Sequence, residues 1–134
     1  MASQSALGLL LSDDMIFTSR IVGTAQALGL TMRVAKDQGS LQALANQDWP
    51  GGLVVDLANP GLDIAGLVGW LRTHGLPTPR VVAYGSHVDV ATLKRAREAG
   101  CDLVLPRSKF VEELPRALPD WLAPAGATMP EGEK

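Results

Sequence analysis

Five short apolar runs, each followed within a few residues by a stretch whose apolar positions recur at helical spacing, leave this chain few folds to choose from. The runs are Ala6 to Leu11, Thr31 to Ala35, Leu53 to Val55, Val81 to Tyr84 and Leu103 to Leu105. The first and third lack the polar alternation of a strand with one wet face, so they suit strands covered on both sides. Strand and helix alternating with short connections imply an α/β fold, a doubly wound parallel sheet of five strands with helices on both faces. A chain of 134 residues can close one such core without a disulfide or a metal.

The helical stretches carry their own punctuation. Phe17, Ile21, Ala25 and Leu28 share one face of a first helix that Gly29 stops, and Ser40 is the expected cap of a second carrying Leu41, Leu44 and Ala45. Asp63 is expected to cap a third with Ile64, Leu67, Val68 and Leu71 inward. A fourth is expected from Asp89 to Ala99, with Val90, Leu93 and Ala96 toward the core and Gly100 ending it. Ser108 is the expected cap of the last, which buries Phe110, Val111, Leu114 and Leu118. Pro115 is expected to kink that helix or end it early, because an interior proline removes a backbone hydrogen bond and clashes with the preceding turn. Residues 1–5 then form a short N-terminal extension, 6–119 the domain, and 120–134 a flexible tail whose PAGATMPEGEK ending has too few apolar groups to repay ordering.

Charge and composition narrow the partners. A net charge of -2 gives no basic footprint, so no nucleic-acid partner is expected. The single cysteine, Cys101, excludes an intrachain disulfide and fits a reducing compartment, and no segment reads as a signal or a membrane span. A cytoplasmic protein without membrane association is the expectation. No GxxxxGK loop or glycine-rich dinucleotide fingerprint is present, and His74 and His87 have no companions at zinc-ligand spacing.

Candidate chemistry gathers at strand ends. The segment GGLVVDLANPG ends its apolar run in Asp56, and the first run ends in Ser12-Asp13-Asp14. Open α/β sheets bind ligands at the carboxyl ends of their strands, so these acids nominate a site. Asp13 or Asp14 could equally serve to cap the first helix.

These acids, the run Val54 to Gly61 and the later Ala99-Gly100-Cys101-Asp102 stand in the order and spacing of a known family. From about Ala6 to Leu118 the chain resembles the receiver domain of two-component response regulators. The resemblance implies a flavodoxin-like topology with strand order 2-1-3-4-5, Asp56 as candidate phosphoacceptor, and Asp13, Asp14 and Asp56 as ligands of a Mg2+ ion that folding does not require. Carboxylate oxygens suit that hard cation. The family's hydroxyl at the end of the fourth strand falls on Ala83-Tyr84-Gly85, with Ser86 just beyond. Its lysine after the fifth strand falls on Pro106-Arg107, and Lys109-Phe110 answers to it only with three residues inserted. Tyr84, Ser86 and Lys109 are therefore the candidate switch or phosphate contacts.

Lys94, Arg95, Arg97, Arg107 and Lys109, together with Tyr84 if it is exposed rather than buried as an inward aromatic, nominate the fourth helix, fifth strand and last helix as an interaction face. In the family this is the usual surface for a partner or a homodimer. The expectation is a stand-alone receiver-like signalling or scaffold module, not an enzyme, with degenerate phosphorylation chemistry and an unidentified signalling protein as partner. The alternative is a phosphorylatable single-domain regulator that takes a phosphoryl group on Asp56 from a histidine kinase.

Overall fold

The computed structural model describes residues 7–123. In chain order these form β1 (Leu7–Leu11), α1 (Met15–Ala27), β2 (Thr31–Ala35), α2 (Gln38–Gln47) and β3 (Gly52–Asp56). Then follow α3 (Ile64–His74), β4 (Arg80–Gly85), α4 (Val90–Ala99), β5 (Leu103–Pro106) and α5 (Arg107–Leu122). All five strands run parallel in the order β2-β1-β3-β4-β5. The doubly wound arrangement expected from the alternating pattern is the one formed.

Strand alternation sorts the core into two layers. Leu10, Val54, Val82 and Tyr84 meet Ile21 and Ala25 of α1 and Phe110, Leu114 and Leu118 of α5 on one face. Leu9, Leu53, Val55 and Ala83 meet Leu41, Leu67 and Leu93 of the other three helices on the opposite face.

Four helices begin on an aspartate. Asp14, Asp37, Asp63 and Asp89 accept the backbone N–H groups of Phe17, Ser40, Gly66 and Thr92. Ser40 is therefore not the cap of α2; it donates its amide to Asp37 at 2.8 Å, because the helix starts earlier than its apolar stripe. Nor does Ser108 cap α5. That helix starts at Arg107 directly after β5, with Pro106 at the cap position and no side-chain cap bond. Gly100 ends α4 at φ 103°, a left-handed conformation that glycine adopts without penalty.

Three expectations about packing need correction. Val90 is 65 % exposed rather than inward, since it opens α4 beside the loop, and Leu28 lies on the surface just past the end of α1. More substantially, Pro115 does not end α5, which continues through Pro119 to Leu122. Both prolines are exposed, while Phe110, Leu114, Leu118, Trp121 and Leu122 are buried. The carbonyls deprived of an amide partner thus lie on the watered side, and burial of the other side holds the helix together. The expected boundary at 119 consequently falls inside a helix; residues 124–134 of the expected tail and the extension at 1–5 lie outside the described residues.

The end of α5 has a seat prepared for it. Gly8 of β1 and Gly52 of β3 are register partners on adjacent strands. A Cβ on Gly52 would collide with the main chain at Trp121 and Leu122, and one on Gly8 with the Leu122 side chain. Two neighbouring glycines leave a notch in the sheet surface, and the helix terminus lies in it.

Candidate functional site

Asp56 is the last residue of β3 and 4 % exposed. Its Oδ1 accepts the Ala58 amide at 2.9 Å, and the Asn59 amide returns to its carbonyl at 3.0 Å. Asn59 is buried beside this turn; its Nδ2 donates to the Lys36 carbonyl at 3.1 Å, while its Oδ1 makes no hydrogen bond. The chain then leaves through Gly61 at φ 75°.

β1 contributes Ser12, also buried, whose Oγ accepts from the Asp14 amide at 3.1 Å and the Thr18 hydroxyl at 3.2 Å. Asp13 and Asp14 are exposed. Asp14 turns Oδ1 into the first turn of α1, where it accepts from Phe17 at 3.0 Å, so the capping role read from the sequence is the one it performs. Among the described residues no group of three or more His, Cys, Asp or Glu is arranged to hold a metal ion. Asp14 thus gives one carboxylate oxygen to the helix cap, while Asp13 stands exposed beside it and Asp56 is buried at the end of β3.

Burial pushes the Asp56 carboxyl above its ordinary value. The Ala58 amide and the Arg107 guanidinium oppose that shift, and the negative charges of Asp14 and Asp13 add to it. A raised folded-state value means the folded protein binds more protons than the unfolded chain, so Asp56 lowers stability as pH rises from about 4 through its folded value. Asp56→Asn keeps an acceptor for Ala58 and removes the charge. The variant is expected to be more stable than the parent at neutral pH by on the order of 1 kcal/mol, with the difference vanishing in acid. Thermal unfolding across that pH range checks this, and equal stabilities at pH 7 would contradict it.

Next to Asp56 in register, on β4, is Tyr84. Its ring is fully buried, stacked on Phe17 at 5.3 Å and on Phe110 at 4.4 Å, and Phe110 continues the stack to Trp121 at 5.4 Å. Of the two placements open to Tyr84, exposed to a partner or buried as an inward aromatic, the buried one is formed, because its strand position points it between α1 and α5. Its hydroxyl makes no hydrogen bond, although Ser12 is close enough to bear on its ionisation. Burial, with the charge of Asp56 second, raises its value well above that of a free phenol.

The other candidates separate. Ser86 accepts the Val88 amide at 3.4 Å in the loop before α4. Lys109 lies on the surface of α5 and pairs with Glu113 at 3.5 Å and Glu112 at 3.8 Å. Lys94 pairs with Glu98 at 3.9 Å, Arg95 donates to the Thr92 hydroxyl at 3.2 Å, and Arg97 is exposed in the last turn of α4. Arg107 is the cation that reaches the acids. Its guanidinium stands 5.4 Å over the Phe17 ring, and its charge acts on both Asp56 and Tyr84. The sequence held a signal for this in its position directly after β5; for Ser12, Asn59 and Phe17 it held none beyond proximity to strand ends.

No family model and no curated protein matches this sequence. Solved structures do match its fold. A response regulator from Chloroflexus aurantiacus is 21 % identical over 89 % of this chain and 98 % of its own, with a TM-score of 0.76. The receiver domain of a response regulator from Bermanella marisrubri is 22 % identical over 88 % of this chain and 98 % of its own, with a TM-score of 0.75. That of NarL from Mycobacterium tuberculosis is 21 % identical over 88 % and 96 %, with a TM-score of 0.72. Strand order, helix placement and these likenesses agree, and the fold of this chain is that of the response-regulator receiver domain.

Proposed function

We propose that this chain is a receiver-like signalling module that acts by presenting a fixed protein-binding surface, and that phosphoryl transfer to Asp56 is not part of its work. The observation that carries the reading is Tyr84, clamped between Phe17 and Phe110 in register with Asp56. A switch that reports on a modified carboxylate needs a side chain free to move toward it. A ring with neighbours on both faces has little such freedom. Asp14 also gives a carboxylate oxygen to its helix cap, and Lys109 is engaged with glutamates on the surface.

The surface proposed for the partner is α4, β5 and α5, where Lys94, Arg95, Arg97 and Lys109 are exposed. A second signalling protein or a second copy of this chain could meet it there, with charged groups setting orientation more than affinity. Arg107, turned toward Phe17, belongs to the site end rather than to this patch.

One observation favours the alternative, a regulator phosphorylated by a histidine kinase: Asp56 stands at the end of the central strand with a guanidinium acting on it. Intact-protein mass after incubation with acetyl phosphate and magnesium decides between them, with Asp56→Asn as control. No adduct is expected. A magnesium-dependent gain of one phosphoryl group, absent from the control, would replace the fixed-surface reading with the phosphorylatable one.

A further inference from the structure

At the Phe17 end of the aromatic stack, α1, the loop before α4 and the first turns of α5 line an open cleft of about 560 Å3. Its apolar wall is Ile16, Phe17 and Val111. Its polar lining consists of Arg20, Arg107, Ser86, Ser108 and His87, and no carboxylate lines it. We infer that this cleft binds a small amphipathic anion, an aromatic or branched aliphatic carboxylate whose body lies against Ile16 and Phe17 and whose charge faces Arg20 and Arg107. The inference is independent of whether Asp56 reacts.

Three properties of the cleft select that chemistry. First, its volume lies within the range of pockets that hold small organic molecules, roughly 300 to 1,000 Å3. Second, its charge is one-sided: two guanidiniums contribute, and among the described residues neither forms an ion pair. Arg107 is held over the Phe17 ring, which positions its fork without using its hydrogen bonds to a carboxylate. A carboxylate is the group such forks meet in a bidentate manner.

Third, the wall is hydrophobic where a protein surface has reason not to be. Ile16 is 77 % exposed. A ligand with a ring or a branched chain would cover Ile16 and gain the burial that water now denies it. The first turn of α5 adds to the preference, since no side chain occupies its amides and no acidic residue stands in it. A neutral or cationic molecule of the same shape would leave the guanidiniums unanswered.

The test is an amide chemical-shift titration with 2-naphthoate, run beside 2-naphthamide, which has the same ring system and no charge. Naphthoate is expected to saturate with a Kd below about 1 mM, with shifts concentrated at residues 15–20, 86–88 and 107–111. Naphthamide is expected to bind at least about tenfold more weakly, and the pair Arg20→Gln and Arg107→Gln to weaken naphthoate by a similar factor. Arg20→Gln alone, which leaves Arg107 in place over the Phe17 ring, carries the same direction of effect should the double variant disturb the fold. Absence of saturation up to about 10 mM, equal binding of acid and amide, shifts centred on another surface, or undiminished binding by both variants would each overturn the inference.

Discussion

Tyr84→Ala is expected to remove about 4 kcal/mol of folding stability, the largest loss from any single side chain at the site, while Tyr84→Phe costs nothing or adds up to about 1 kcal/mol. The two substitutions separate the ring from its hydroxyl. The ring is fully buried and stacks on Phe17 and Phe110, so truncation leaves a void bounded by two aromatic neighbours that cannot both collapse into it. The hydroxyl is buried without a hydrogen bond, so its removal relieves a desolvated polar group rather than breaking a bond. Urea denaturation of the three proteins measures both effects; with a slope typical of small domains, the alanine variant's midpoint falls by about 2 M. A loss of more than about 1 kcal/mol in Tyr84→Phe would show that Ser12 serves the hydroxyl in solution, and a loss below about 2 kcal/mol in Tyr84→Ala would show that the stack is loose.

Gly52→Ala is expected to cost about 3 kcal/mol although it adds a single methyl group. The methyl meets the main chain at Trp121 and Leu122, so relief requires the end of α5 to lift from the sheet, taking the buried Trp121 ring with it. Gly8→Ala makes the informative contrast. There the obstacles are the tips of Leu122 and Met32 side chains, which can turn aside, and the cost should stay near 1 kcal/mol. Leu122→Ala should therefore relieve part of the Gly8→Ala penalty and none of the Gly52→Ala penalty. A double-mutant cycle by thermal or urea unfolding reads this coupling directly; equal coupling to both glycines would place the obstruction in the Leu122 side chain alone.

The strand pattern was legible because a strand buried on both faces can be built from little else than short apolar runs, and Leu53 to Val55 has no other good use. Asp63 and Gly100 were legible for a similar reason, since caps act through local bonds that local sequence encodes. Pro115 misled because its local cost is real and the compensation is distant: Phe110, Leu114 and Leu118 hold α5 against strands far away in sequence. Tyr84 stayed undecided for another reason. Whether an aromatic at a strand end faces water or core depends on the helices above it, and nothing near residue 84 announces Phe17 or Phe110. Lys109 and Arg107 could be ranked only once the start of α5 was fixed, because two residues along a helix turn a side chain from the site to the surface.

The aspartate caps of α1 to α4 do more than start helices. Each helix begins where its preceding strand stops, so all four carboxylates stand at one end of the sheet, together with Asp13 and Asp56. The fifth helix breaks the series by opening with a guanidinium instead of a carboxylate. The charge at that end of the molecule is therefore uneven, acidic at the starts of α1 to α4 and basic where α5 begins. A charged partner approaching it meets a torque before it meets a contact, and arrives already turned.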